Sequence, residues 1–177
     1  MIDNGLIQLF LPIIQAGLIT DGFTGVTVKQ ANQPTQQGIP TTPTVYFYEV
    51  FKKRYGWLGR FDKYVSGALQ HTESQYMETT FQISALVLQN PLVISYTASD
   101  LVDEVASIMQ SDNTRSILNA SGVGILRISD IRNPYFKDDR DQFEASPSFD
   151  FVLTYQNQRV STVPAITPPV ELDFVPI

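Results

Sequence analysis

The chain runs to 177 residues, 43% hydrophobic and 17% charged, with 18 acidic residues against 12 basic ones and a net charge of −6. That length fits one domain, and the acidic balance argues against a protein dedicated to coating nucleic acid. The absence of cysteine excludes disulfides, Cys-based zinc sites and thiol nucleophiles, and His71 as the sole histidine excludes a multi-histidine metal site within one chain.

Asp3 or Asn4 caps an expected first helix, in which Leu6, Leu9, Phe10, Ile13 and Ile14 recur at helical spacing. Pro12 lacks an N–H and is expected to bend or divide this helix, with Gly17 or Gly22 at its exit. The apolar run 6–19 falls short of the roughly 20 residues of a spanning helix and carries Gln8, Pro12 and Gln15. Asp3 stands where a secretory signal would place Lys or Arg, so the segment reads as core-packing and no membrane partner is expected.

Val26, Thr27 and Val28 form a short strand, and 30–43, with three prolines and four glutamines, forms a loop. The stretch 44–55 reads as an interior strand with Val45, Phe47 and Phe51 on one face and Tyr46, Tyr48 and Val50 on the other. Residues 52–56 and 60–64 are expected to pair as the end of a long hairpin projecting beyond the sheet. Over 73–89, Phe81, Ile83, Ala85 and Val87 alternate with Thr80, Gln82 and Ser84, the pattern of a half-buried antiparallel strand.

Thr97 and Asp100 have capping-box spacing before a helix whose Leu101, Val105 and Met109 share a face. A second helix over 113–120 ends at Gly122, and a strand over 123–131 follows. A charged loop spans 135–147, and the last strand, 149–155, sets Phe149, Phe151, Leu153 and Tyr155 on one face. The expected fold is α+β: an antiparallel or mixed β-sheet packed by an N-terminal helix and a central helix pair, with a projecting β-hairpin and an extended C-terminal tail. Residues 1–160 are expected to form a single domain and 161–177 an extended, proline-rich arm. This arm has four prolines yet keeps Leu172, Phe174 and Ile177 among its apolar groups, where a free linker would be polar.

No catalytic constellation is present. Gly56, Gly59, Gly122 and Gly124 lack phosphate-loop spacing, and His71 has only Glu73 as a local partner. Asp138, Asp139, Asp141 and Glu144 lack the spacing and glycine of a calcium loop and include Arg140, so a solvated or partner-facing loop outweighs a metal site. No cofactor and no enzymatic activity are expected; a small hydrolase using the Asp138 to Glu144 acids is the remote alternative.

Two features stand out. The stretch 52–63 carries five of the twelve basic residues, interleaved with Tyr55, Trp57 and Phe61. Basic and aromatic residues together suit nucleic acid or an acidic protein surface, against the plain reading of a solvated hairpin tip. The apolar tail is the second, suiting either its own domain or a neighbouring subunit. Lys52, Lys53, Arg54, Tyr55, Trp57, Arg60, Leu172, Phe174 and Ile177 are therefore the candidate interface residues.

In order and pattern the chain resembles the neck and tail-terminator family of tailed bacteriophages over 5–158. The resemblance rests on Val26-Thr-Val-Lys-Gln, Thr44-Val-Tyr-Phe-Tyr, Glu78-Thr-Thr-Phe-Gln-Ile-Ser-Ala85 and Ala98-Ser-Asp-Leu-Val-Asp-Glu-Val-Ala-Ser-Ile-Met109. It continues through Gly122-Val-Gly-Ile-Leu-Arg-Ile-Ser-Asp-Ile-Arg132 and Phe149-Asp-Phe-Val-Leu-Thr-Tyr155. It implies a structural virion protein, assembled in the bacterial host cytoplasm, that forms a hexameric ring at the head–tail junction and lets DNA pass. The implied partners are copies of itself, connector or portal-side proteins, tail tube or sheath proteins, and passing duplex DNA without sequence preference. Another head-completion, connector or tail-completion ring is the alternative. The basic hairpin and the C-terminal arm depart from the family pattern.

Overall fold

The structure, a computed structural model, describes residues 3–31, 42–65, 68–87, 94–137 and 143–163. Helix α1 (Asp3–Thr20) buries Leu6, Phe10, Ile14 and Leu18, an unbroken four-residue repeat that lays one stripe on the sheet. Pro12 does not divide the helix: it lies on the exposed side, and the buried stripe opposite continues past it.

The sheet has the order β1-β2-β3-β7-β4. Strand β1 (Thr27–Gln30) pairs in parallel with β2 (Thr44–Val65), while β3 (Ala68–Leu86), β7 (Ser148–Val163) and β4 (Val123–Ile128) continue it antiparallel. The mixed sheet with helices is the expected α+β class. Alternate residues of the three central strands, among them Phe47, Phe81, Ile83, Phe149, Phe151 and Leu153, are buried. Phe10 sets its ring edge-on against Phe47, Phe81 and Phe151 at centroid distances of 5.3, 5.0 and 5.4 Å, so α1 is fixed over three strands at once.

Helix α2 (Ala98–Gln110) opens with the expected capping box: Asp100 N–H donates to Thr97 Oγ1 at 3.2 Å, and Thr97 N–H donates to Asp100 Oδ2 at 2.8 Å. The Thr97 N–H and the Thr97 hydroxyl, which donates to the same Oδ2 at 2.8 Å, hold the Asp100 carboxyl below its ordinary value. Ser111 caps α3 (Asp112–Ala120), whose Thr114 hydroxyl donates to Ile108 O at 2.7 Å. Gly122, at φ +72, turns the chain into β4 as expected for a C-terminal glycine.

Four expectations change. Phe51 does not share the core face of Val45 and Phe47, because a bulge between Glu49 and Phe51 shifts the register and leaves Phe51 exposed. Residues 52–56 and 60–64 do not pair with each other; both lie on β2, and the hairpin reverses between Val65 and Ala68, which are partners. Strand β7 extends through Val163, eight residues past the expected end at Tyr155 and across the 160/161 boundary set for the arm. Finally, the charged loop contains two short paired strands, β5 (Tyr135–Lys137) and β6 (Phe143–Ala145). Asp138, Asp139 and Asp141 lie outside the described residues. No helix among the described residues is long and apolar enough to cross a membrane.

Candidate functional site

Beyond the helix-covered part of the sheet, β2, β3 and β7 run on together as a three-stranded arm. Its registers extend from Lys53, Glu78 and Thr154 outward to Tyr64, Leu69 and Val163. A projecting hairpin was expected; the third strand was not. Directly paired residues share a face, so the registers assign every side chain of the arm to one of two sides.

One side continues the core face. Lys52 pairs there with Asp3 at the start of α1 and approaches Glu49 at 3.9 Å. Burial pushes the Lys52 ammonium down, but the hydrogen bond to Asp3 and the nearby acids outweigh it and leave the value raised. Farther out, Arg60 Nε lies 3.5 Å from Glu73 Oε1, and His71 lies between Asp62 (Nδ1 to Oδ1, 2.6 Å) and Glu73 (Nε2 to Oε1, 3.7 Å). His71 therefore occupies a middle strand. Its cross-strand neighbours on this face are Asp62 of β2 and Ser161 of β7.

The opposite side sets aromatic and apolar groups among polar ones. Tyr55 lies beside Tyr76, and Phe61, Thr72 and Val160 form one cross-strand row. Tyr76, Phe61 and Val160 are 60%, 51% and 56% exposed. Between these rows β2 bulges, with three residues opposing one of β3. Gly56 adopts φ +72, and the Gln75 side-chain amide donates to Tyr55 O at 2.6 Å and Gly56 O at 3.2 Å. The bulge throws Trp57 outward until it is 97% exposed.

The basic and aromatic candidates thus do not gather into one patch. Lys52, Arg54 and Arg60 take the core-side face, Lys53 and Tyr55 the opposite face, and Trp57 the bulge. Lys52 and Arg60 are paired with carboxylates. Leu172, Phe174 and Ile177 lie outside the described residues. Sequence reading missed Tyr76 and Val160, whose exposure depends on which strands pair. The Ser66-Gly67 dipeptide, a turn signal, was the available clue to the hairpin's reversal point. Among the described residues no group of acids and histidine has the arrangement of a metal site.

A second surface lies between α1, α2 and α3, an open groove of about 420 Å³ lined by Gly17, Asp21, Glu104 and Ile117 among others. Burial, then hydrogen bonding to Asp21 and the charges of Asp21 and Asp103, push the Glu104 carboxyl up.

A small α+β domain whose most exposed aromatic groups stand on a projecting sheet has the features of an assembly protein. The chain belongs to the E217 gateway protein gp29 family, a phage head–tail gateway family, whose model matches residues 5–165. It is a structural protein of the phage head–tail junction, in the virion neck. A comparison with curated proteins gives no match.

Proposed function

We propose that six copies of this chain close a ring at the head–tail junction, that the ring joins or terminates the tail against the connector, and that DNA passes through it. The observation that carries this reading is the arm. A lone copy holds Trp57, Phe61, Tyr76 and Val160 in water, whereas a subunit of a closed assembly can cover them. A ring of six carries a charge of −36, six times the −6 of one chain, which keeps duplex DNA centred by repulsion and its contacts transient. The role is structural, with no catalysis.

The basic residues of the arm dock on a neighbouring subunit, connector or tail protein. Lys52 and Arg60 already hold carboxylates, which leaves Lys53 and Arg54 for acidic partners and Tyr55 and Trp57 as anchors. The segment 161–177 acts as a strap, with Leu172, Phe174 and Ile177 in pockets of another chain and its first residues completing β7 of the 1–160 domain. Native mass measurement of the assembled ring tests the copy number: six chains of 19.8 kDa give about 119 kDa. An assembled species of another subunit number would overturn the hexamer.

A further inference from the structure

The arm has two lateral edges, and the backbone bonding fixes which groups they present. Ser148 exchanges hydrogen bonds with Arg132, at 2.7 and 2.8 Å, and Asp150 O accepts from Ser129 N–H at 2.8 Å. Even-numbered residues of β7 therefore turn their N–H and C=O away from β3. The β3–β7 register is unbroken from Ser148 to Val163, so Gln156, Gln158, Val160 and Thr162 do the same. Strand β4 stops pairing at Tyr155, and among the described residues no other strand meets this edge. On the far side, β1 pairs with β2 only through Phe47. The same alternation turns the backbone groups of Arg60 and Asp62 outward from β2.

Three observations make these edges complementary to each other. They lie at one height, because Gly59, Ser74 and Gln158 are level, as are Phe61, Thr72 and Val160, and Lys63, Gln70 and Thr162. They also run in the same direction, since β2 and β7 are each antiparallel to the strand between them. Copies related by a rotation, with no shift along the strands, can therefore set β7 of one beside β2 of the next. Of the charged side chains on this β2 edge, Arg60 lies toward Glu73 and Asp62 toward His71, which leaves Lys63 level with Thr162 of the next copy. Val160 of one copy would then meet Phe61 of the next, covering two side chains that the monomer leaves more than half exposed.

We propose that the Gln156 to Thr162 edge of β7 pairs in parallel with the distal β2 edge, Gly59 to Val65, of a second copy, so that the arm sheet continues from subunit to subunit. This rests on the self-assembly proposed above and names the surface that performs it. The contact is head-to-tail: each copy uses a different edge on either side, as a closed ring requires.

The chain's lack of cysteine makes cross-linking specific. Thr162→Cys and Lys63→Cys in one chain stand two strands apart, roughly 10 Å, beyond disulfide reach within a copy. Oxidation of phage particles carrying both substitutions, or their treatment with a short bis-maleimide, is expected to give a ladder at multiples of the 19.8 kDa chain. Either single variant alone is expected to give none. Adding Val160→Pro removes an outward N–H that pairs with no strand among the described residues; it is expected to abolish the ladder while the isolated chain keeps its melting temperature. Particles holding several copies without the ladder, or dimers from one single variant, would overturn edge pairing and leave the ring reading standing. Particles holding one copy each would overturn both.

Discussion

Phe10 of α1 and Phe81 of the middle strand meet edge to face with ring centroids 5.0 Å apart. Both are fully buried, and Phe10 is also in edge contact with Phe47 and Phe151, so it ties the helix to β2, β3 and β7. Phe10→Ala is expected to destabilise the domain by about 3–5 kcal/mol, and Phe10→Leu by distinctly less. Urea unfolding of the two variants measures both, with an unchanged midpoint for Phe10→Ala as the contrary result.

Glu104 gives stability a pH dependence opposite to that of a salt-bridged acid. Burial and the Asp21 carboxyl raise its folded value above the unfolded one, so ionisation at neutral pH costs stability. That cost disappears as the pH falls through the raised folded value and then below the ordinary carboxylate range. Glu104→Gln, which imitates the protonated acid, is therefore expected to raise the melting temperature at pH 7 and to make no difference at pH 3.

The faces of the arm divide its cations into paired and available ones. Lys53→Glu with Arg54→Glu is expected to block joining of neck and tail with no change in fold, because neither residue has a core partner to lose. Counting joined particles by electron microscopy, alongside circular dichroism of the isolated chain, checks this. Normal joining with lost DNA retention would place these cations in the channel.

The strand reaching Val163 sets where the strap can be cut. Truncation after Val163 keeps β7 whole and removes Leu172, Phe174 and Ile177. The shortened chain is expected to melt like the full one but to assemble less well, since ordering a segment at about 1–2 kcal/mol per residue requires buried apolar groups to offset it. Unchanged assembly would count against the strap.

Local chemistry made much of this fold legible. The helical spacing of Leu6, Phe10 and Ile14 in α1, the Thr97–Asp100 box, Gly122 and the alternations around Phe81 and Phe151 each depend on neighbours within a few residues, and each appears as expected. What escaped depends on partners remote in sequence. The bulge after Glu49 follows from how β2 meets β3, and it moves Phe51 out of the core face. The outer part of β7 is polar, Gln-Asn-Gln-Arg, with no alternation to mark a strand, because residues 156–162 are exposed on both faces in one copy. The candidate site was half legible for the same reason. Trp57 and Tyr55 stand out as residue types, but only the register separates Arg60, locked on Glu73, from Lys53 and Arg54.

The ring is tested most directly by an electron-microscopic reconstruction of the assembled phage neck at side-chain resolution. Six copies of this chain are expected around the DNA channel, with every arm pointing the same way and flanked on both edges by its neighbours. A single isolated copy, or density for this chain anywhere outside the neck and tail, would contradict it.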